Sequence, residues 1–255
     1  MLTDEFILSR ARNPSLKIGI GADLDNRSKV DFSAAEAIRR DLGEIRVFTD
    51  AELLVEALHE GKIDAAVRGD LDSNLSMQSV KRVFGVDRIL RAALLQPIHG
   101  PLFFLAPVGV DEGSTVMEKL ELVELIGRLV ESLGVVPIIG VMSGGRNTDK
   151  GRSPNIDRTI FEAEEVTKLA KAKDFDCFNA QILIEDAAKK CNVIIAPDGI
   201  SGNLIFRTLH FLGEGKASGA PILNISSVFV DTSRAKCDYL DSIALACALA
   251  NIKKV

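Results

Sequence analysis

The segment from Cys191 to Asp241 constrains the fold of this chain more than any other. It opens with the run Asn-Val-Ile-Ile-Ala at 192–196, which a Pro-Asp-Gly turn closes before a helical stretch begins. Short runs of β-branched residues between turn residues are typical of buried strands, and 228–230 is a second such run. In open α/β sheets, ligands bind beyond the carboxyl ends of the strands. We therefore predict the functional site at the polar tips 198–203 and 231–234.

This segment resembles the phosphate acetyl/butyryltransferase family. The family order is a strand, Pro-Asp-x-x-x-Gly-Asn, a helix, Gly-Pro-Ile-Leu, a strand and then Ser-Arg. Here the three motifs stand at 197–203, at 219–223 (as Gly-Ala-Pro-Ile-Leu) and at Ser233 and Arg234. The chain is most similar to a shorter archaeal branch of that family, the methanogenesis marker protein 4 group, whose members are labelled methyltransferase subunits.

The resemblance implies an α/β fold of the two-lobed isocitrate/isopropylmalate dehydrogenase-like, phosphotransacetylase-like type, with three αβα layers and mostly parallel sheets. It implies a first lobe of residues 1–95 plus 226–255, a second lobe of 96–225, an active-site cleft between them and a homodimer. It further implies that phosphate or coenzyme A binds as a substrate-type ligand, with no permanently bound cofactor. The alternative function is that of a methyltransferase-associated subunit, whose partners would be other methyltransferase subunits.

The alternation of strands and helices along the chain supports a mostly parallel sheet on its own. Strands are predicted at 16–21, 44–48 and 63–67, with a helix at 51–60 that Asp50 caps. This βαβαβ order requires right-handed crossovers. Further helices are predicted near 32–42, 118–133, 159–173, 180–190 and 238–253, and further strands at 87–95, 101–106 and 136–142.

The resemblance assigns catalytic roles to residues near the second strand tip. Ser233 would lie near the thiol, Arg234 would hold phosphate or the developing oxyanion, and Asp241 would be the base, with Asp238 as the competing candidate. Each also has a structural interpretation. Ser233 could cap the last helix, Asp241 could favour the dipole of that helix, and Arg234 could pair with Asp231 or Asp238.

Ligand-binding residues are predicted at three further places. Arg68 follows a predicted strand and could reach a ligand there. The loop at 143–153 contains the glycine pair 144–145, whose backbone N–H groups could turn toward an anion, and three basic residues; a solvated loop is the alternative interpretation. Asp198, Gly202 and Asn203 belong to the first strand tip. The candidates in the loop are Ser143, Gly144, Gly145 and Arg146.

One segment departs from the family pattern. The family has Phe-x-Asp and a basic residue in a hairpin that helps to hold coenzyme A or phosphate, whereas residues 100–107 contain neither an arginine nor an aspartate. This departure keeps the methyltransferase-associated alternative open. The chain also lacks a corrinoid-binding Asp-x-His-x-x-Gly and a convincing S-adenosylmethionine loop.

Composition excludes several classes of protein. The net charge of −5 argues against a nucleic-acid-binding surface, and no apolar run approaches the length of a membrane span. The N-terminus lacks the pattern of a signal peptide, so a cytoplasmic location is expected. The four cysteines form no close pair, and no HExxH or EF-hand spacing occurs, so we expect no protein-built metal site. Buried thiols are predicted, with Cys237, close to Ser233, as the exception.

Overall fold

The computed structural model describes residues 2–24 and 27–253. The α-helices in these residues are α1 (Asp4–Ala11), α2 (Ser28–Arg39), α3 (Ala51–His59), α4 (Ser73–Phe84), α5 (Val116–Ser132), α6 (Pro154–Lys171), α7 (Ile184–Lys190), α8 (Gly199–Arg207) and α9 (Leu240–Lys253). The strands are β1 (Lys17–Gly21), β2 (Glu44–Phe48), β3 (Ala65–Val67), β4 (Ala93–Gln96), β5 (Phe103–Ala106), β6 (Ile138–Met142), β7 (Asp176–Gln181), β8 (Val193–Ile195), β9 (Lys216–Pro221) and β10 (Val228–Asp231).

The chain divides into two compact units. The terminal unit contains Thr3–Ile89 and the segment that begins at Ser218, and the central unit contains Leu90–Ala217. The strand order is β2-β1-β3-β10-β9 in the terminal unit and β4-β5-β8-β6-β7 in the central unit. Neighbouring strands within each unit run parallel, except that β9 is antiparallel to β10 and β4 to β5. The protein is therefore a mixed α/β protein with mostly parallel strands, as the sequence predicts.

The unit boundaries follow the strand ladders. The resemblance implies boundaries at 95/96 and 225/226, whereas the compact units divide at 89/90 and 217/218. Strand β4 pairs with β5 from Ala93 to Leu95, which joins this segment to the central unit. Strand β9 pairs with β10 at Ala220 and Pro221, which joins the end of β9 to the terminal unit.

Side-chain caps explain where several helices begin. The side chain of Asp50 accepts a hydrogen bond from the backbone N–H of Leu53 at 3.0 Å, which confirms the predicted start of α3. Asp72 caps α4 in the same way through the N–H of Leu75, at 3.0 Å. Ser153 caps α6. Each such cap satisfies a backbone donor that the helix leaves open and is worth about 1 kcal/mol.

Strand β7 corrects the sequence analysis. The segment 180–190 was expected to be one helix, but β7 extends to Gln181 and α7 begins only at Ile184. Strand β7 is the last strand in the order of the central unit, and Asp176 at its start is exposed. Its sequence, Asp-Cys-Phe-Asn-Ala-Gln, lacks the β-branched residues and the regular alternation that indicate a strand.

The core of the terminal unit is formed around β3, β10 and α9. All residues of β3 and β10 are buried, and so are residues 242–250 of α9. Helix α9 packs on α1, α2, β3 and β10. A helix that is apolar on all sides has to be enclosed by other elements, and the predicted deep packing of this helix is confirmed.

Helix α8 lies directly against the backbone of the segment that follows β5. A Cβ atom on Gly202 would lie 1.8 Å from the carbonyl oxygen of Pro107, so only glycine permits this approach. The side-chain amide of Asn203 donates a hydrogen bond to the carbonyl oxygen of Val108 at 2.9 Å. The Gly-Asn pair of the first strand tip therefore has a packing role.

We predict that Gly202→Ala lowers the free energy of unfolding by roughly 1–3 kcal/mol, because the added methyl group forces α8 away from Pro107. Urea unfolding measures the change. The control is Ser201→Ala in the same helix, which adds no atom and should stay within about 0.5 kcal/mol of the wild type. Equal stability of the two variants would contradict the close approach.

Candidate functional site

A cluster of polar side chains lies at the carboxyl ends of β3 and β10 in the terminal unit. The two strands are parallel neighbours, with Val67 opposite Val230, and the N–H of Arg68 donates to the carbonyl oxygen of Val230 at 3.0 Å. The residues that follow the two strands therefore emerge side by side. We call the group the strand-end cluster; its members are Lys29, Arg68, Asp70, Asp72, Asp231, Thr232, Ser233 and Arg234.

A buried ion pair forms the centre of the cluster. Nε of Arg68 lies 2.5 Å from Oδ1 of Asp231, and the Arg68 side chain is only 4% exposed. The guanidinium also donates to the carbonyl oxygen of Leu71 through Nη1. The sequence predicts Arg68 as a ligand-binding residue. In the structure it joins two strand ends and a turn, which leaves little of its surface for a ligand.

The turn after β3 is fitted closely between its neighbours. Gly69 has a φ of +63°, and a Cβ atom there would lie 1.8 Å from the carbonyl oxygen of Gly21. The carbonyl oxygen of Gly69 accepts a hydrogen bond from Oγ1 of Thr232 at 2.7 Å. The turns after β1, β3 and β10 therefore fix one another at one edge of the sheet.

The predicted catalytic pair, Ser233 and Arg234, forms a turn directly after β10. Oγ of Ser233 accepts a hydrogen bond from the N–H of Ala235 at 3.2 Å, so it does not cap α9, which begins only at Leu240. The Arg234 side chain is 58% exposed, and its Nη1 lies 3.7 Å from Oδ2 of Asp72. Its ionic partner is therefore Asp72, and neither of the two aspartates suggested by the sequence fills this role.

The two candidate bases differ in their contacts. Oδ1 of Asp238 accepts the N–H of Leu240 at 3.1 Å, just before α9. Asp241 is exposed in the first turn of α9, where a carboxylate interacts favourably with the helix dipole. Burial lowers the pKa of the nearby Lys236, and the charges of Asp241 and Asp238 oppose that shift.

Three residues of this region were not recognised from the sequence. Nζ of Lys29 lies 3.5 Å from Oδ2 of the buried Asp70 and donates to the carbonyl oxygen of Arg234 at 2.8 Å. Burial, followed by the charge of Asp70, raises the pKa of Tyr239, so its hydroxyl stays protonated and donates to the carbonyl oxygen of Ser233 at 3.4 Å. The one signal that the sequence offers for these residues is the position of Lys29 shortly after β1.

The second candidate region, the loop at 143–153, lies in the central unit. The N–H of Gly144 donates to Oγ1 of Thr159 at 2.9 Å, and that of Arg146 donates to Oδ2 of Asp149 at 2.8 Å. The hydroxyl of the buried Ser143 donates to the carbonyl oxygen of Gly145 at 2.8 Å. A side chain of the protein itself thus occupies the N–H of Gly144, one of the two glycine donors predicted to face an anion.

The basic side chains of this loop also have acidic neighbours. Nη1 of Arg152 lies 2.7 Å from Oδ1 of Asp149, and Nζ of Lys150 lies 2.7 Å from Oε1 of Glu164. The hydrogen bond from the N–H of Arg146, and then that from Arg152, lower the pKa of Asp149, so this carboxylate stays charged. An anion in the loop would meet that negative charge.

The first strand tip also belongs to the central unit. Oδ1 of Asp198 accepts the N–H of Ser201 at 2.7 Å and so caps α8. Strand β9 lies between α8 and β10 in the chain, so β8 and β10 are not consecutive strands. Asp198, Gly202 and Asn203 lie in the central unit, whereas Ser233 and Arg234 lie in the terminal unit.

Cysteine burial matches the sequence analysis. Cys177, Cys191 and Cys247 are buried and Cys237 is exposed. Burial raises the pKa of Cys177 to about 11 and that of Cys191 and Cys247 to about 12, so these three thiols stay protonated at neutral pH.

The described part of the chain contains neither a cluster of metal ligands nor a membrane-spanning helix. No three His, Cys, Asp or Glu side chains within residues 2–24 and 27–253 gather closely enough to hold a metal ion. None of the helices described there combines the length and hydrophobicity that crossing a bilayer requires.

Comparison with known proteins gives two kinds of match. The chain is 46% identical over 203 residues to a protein of Methanosarcina mazei named "Putative methyltransferase mtx subunit X". The matched region covers 80% of this chain and 72% of the relative. A protein of the same name from Methanosarcina acetivorans is 43% identical over 224 residues, covering 88% and 80%. A phosphotransacetylase structure from Staphylococcus aureus matches with a TM-score of 0.73 at 14% identity, covering 97% of this chain and 98% of that one. The chain therefore has a phosphotransacetylase-like fold. No protein-family model matches it.

We predict that Arg68→Met lowers the free energy of unfolding by about 3–5 kcal/mol, because it removes the guanidinium that pairs with the buried carboxylate of Asp231. Chemical denaturation measures the loss. The double variant Arg68→Met/Asp231→Leu removes both charges and should recover much of that stability. If the free energy of unfolding of the single variant stays within about 1 kcal/mol of the wild type, the ion pair is not needed for stability.

Proposed function

The chain belongs to the mtx subunit X family, and we propose that it binds a phosphate- or coenzyme A-type ligand at the strand-end cluster and transfers an acyl group between phosphate and a thiol. The phosphotransacetylase-like fold supports this proposal. We extend the proposal to the isocitrate/isopropylmalate dehydrogenase-like form of that fold and to a cytoplasmic homodimer.

The exposed guanidinium of Arg234 is the observation that carries the proposal. It directly follows Ser233 at the carboxyl end of β10, where α/β sheets bind ligands. A guanidinium offers a planar fork of donors that matches two phosphate oxygens. Its contact with Asp72 is long, at 3.7 Å, and both side chains are exposed, so a phosphate can replace this partner at little cost.

The proposed reaction starts from an acyl phosphate and a thiol. The thiol sulfur attacks the acyl carbon, the bond from that carbon to the phosphate oxygen breaks, and a thioester and inorganic phosphate are formed. Arg234 holds the phosphate, Ser233 lies near the sulfur, and Asp241 accepts the thiol proton, with Asp238 as the alternative base. Coenzyme A and phosphate enter as substrates, and no resident cofactor takes part.

A second function is supported by the names of the relatives. Proteins 46% and 43% identical to this chain are named as subunits of a methyltransferase. The chain lacks the corrinoid motif and a convincing S-adenosylmethionine loop. In this second proposal it is a partner of other methyltransferase subunits and does not itself transfer acyl groups.

We predict that coenzyme A or acetyl phosphate raises the thermal unfolding midpoint of the purified protein and that Arg234→Ala reduces this rise to a small fraction. A ligand held at a hundredfold excess over its dissociation constant adds roughly 2.7 kcal/mol of stability, which corresponds to a few degrees. The rate at which acetyl-coenzyme A is formed from acetyl phosphate and coenzyme A should fall strongly in the same variant.

The matched control is Arg82→Ala. The Arg82 side chain is 56% exposed, close to the 58% exposure of Arg234, and it pairs with Glu52 in the same unit. Both substitutions remove one positive charge, so only a local role of Arg234 distinguishes them. The acyl-transfer proposal fails if none of phosphate, acetyl phosphate and coenzyme A shifts the midpoint, or if the two variants respond equally.

The methyltransferase-partner function predicts a stable complex in native extract. The full chain carrying an affinity tag should retain methyltransferase subunits from the extract of a methanogen at moderate salt, as identified by mass spectrometry. An untagged chain added in excess should compete for them. Recovery of the tagged chain without any methyltransferase subunit would remove this function.

A further inference from the structure

Lys29 links the start of α2 to the turn that carries Arg234. It is the second residue of α2, and its ammonium group donates to the carbonyl oxygen of Arg234 at 2.8 Å. The two residues are separated by 205 positions in the sequence. The lysine side chain is 15% exposed, so most of it lies inside the protein.

The same ammonium group faces a buried carboxylate. Asp70 is 3% exposed; its Oδ1 accepts the N–H of Asp23 at 2.6 Å, whereas its Oδ2 has no hydrogen-bond partner within the described residues. Nζ of Lys29 lies 3.5 Å from that Oδ2. A buried carboxylate is costly unless a cation compensates it, and Lys29 provides the compensating charge.

The Arg234 turn therefore has two anchors outside itself. The carbonyl oxygen of Ser233 accepts from the hydroxyl of Tyr239 at 3.4 Å, and that of Arg234 accepts from Lys29 at 2.8 Å. Lys29 also lies 5.4 Å from the centre of the Tyr239 ring, so the two anchors pack together. The shorter and charge-assisted anchor is the lysine, which makes it the stronger of the two.

We propose that Lys29 is a positioning residue, which fixes the Ser233–Arg234 turn to the buried Asp70 and so holds the Arg234 guanidinium ready for the phosphate of a ligand. The ligand half of this inference rests on the proposed acyl-transfer function. The structural half, the anchoring of the turn, does not depend on any ligand.

Amide hydrogen exchange of the intact protein tests the anchoring. In Lys29→Met/Asp70→Asn, which leaves no uncompensated buried charge, a peptide spanning 233–239 should exchange several-fold faster than in the wild type, while β3 and β10 keep their protection. Lys62→Met is the control, because the Lys62 side chain is 67% exposed and pairs with the nearby Glu60. Unchanged exchange at 233–239 overturns the inference.

Coenzyme A titrations by calorimetry test the positioning. Lys29→Met/Asp70→Asn should weaken coenzyme A binding about tenfold, and should have no further effect in a background that carries Arg234→Ala. Additive losses in the two backgrounds would show that Lys29 acts independently of Arg234 and would overturn the positioning role. Lys29→Arg keeps a cation next to Asp70 and should recover part of the affinity.

The two proposals fail in different ways. If the wild type binds no coenzyme A but the exchange at 233–239 still accelerates, the acyl-transfer function falls and the anchoring by Lys29 stands. If the wild type binds coenzyme A and neither exchange nor affinity changes in the variant, the anchoring falls and the function stands.

Discussion

The buried ion pair between Arg68 and Asp231 is the interaction on which the strand-end cluster depends. Removing two charges from water costs several kcal/mol per ion, and the attraction between them repays this only with good geometry and further hydrogen bonds. Here Arg68 also donates to Leu71, and Asp231 also accepts the N–H of Thr232 at 2.9 Å. Because the partners lie at the carboxyl ends of two adjacent parallel strands, the pair fixes where both following turns begin.

Burial separates the charges that support the fold from those that are able to meet a ligand. Arg68 and Asp70 are 4% and 3% exposed, and each has its charge compensated inside the protein. The Arg234 side chain is 58% exposed, with a partner at 3.7 Å. An exposed pair of this kind contributes at most about 1 kcal/mol. Exposure, which cannot be read from the sequence, therefore distinguishes the two arginines at neighbouring strand ends: Arg68 is buried in an ion pair, and Arg234 is open to solvent.

Local patterns predicted the elements whose physical cause is local. The strand at 44–48 and the cap at Asp50 depend on residues adjacent in sequence, and both are found in the structure. Strand β7 was not predicted because its own residues lack a strand pattern, and its hydrogen-bonded pairing with β6 holds it in the sheet. Lys29 was not predicted because its role arises from contact with a residue 205 positions away. The catalytic roles of Ser233, Arg234 and Asp241 remain predictions, since they depend on a ligand.

Whether a carboxylate of the protein already occupies the donors, more than the number of basic residues, indicates where an anion would bind. The loop at 143–153 is rich in basic residues, yet the N–H of Arg146 already binds the carboxylate of Asp149, so an anion there has to displace an internal charge. The motif residues Gly202 and Asn203 are explained by the packing of α8. At Arg234 the neighbouring carboxylate, that of Asp72, lies 3.7 Å away, and its side chain is 39% exposed. This longer and more exposed contact favours the end of β10 over the loop at 143–153 as the place where a phosphate would bind.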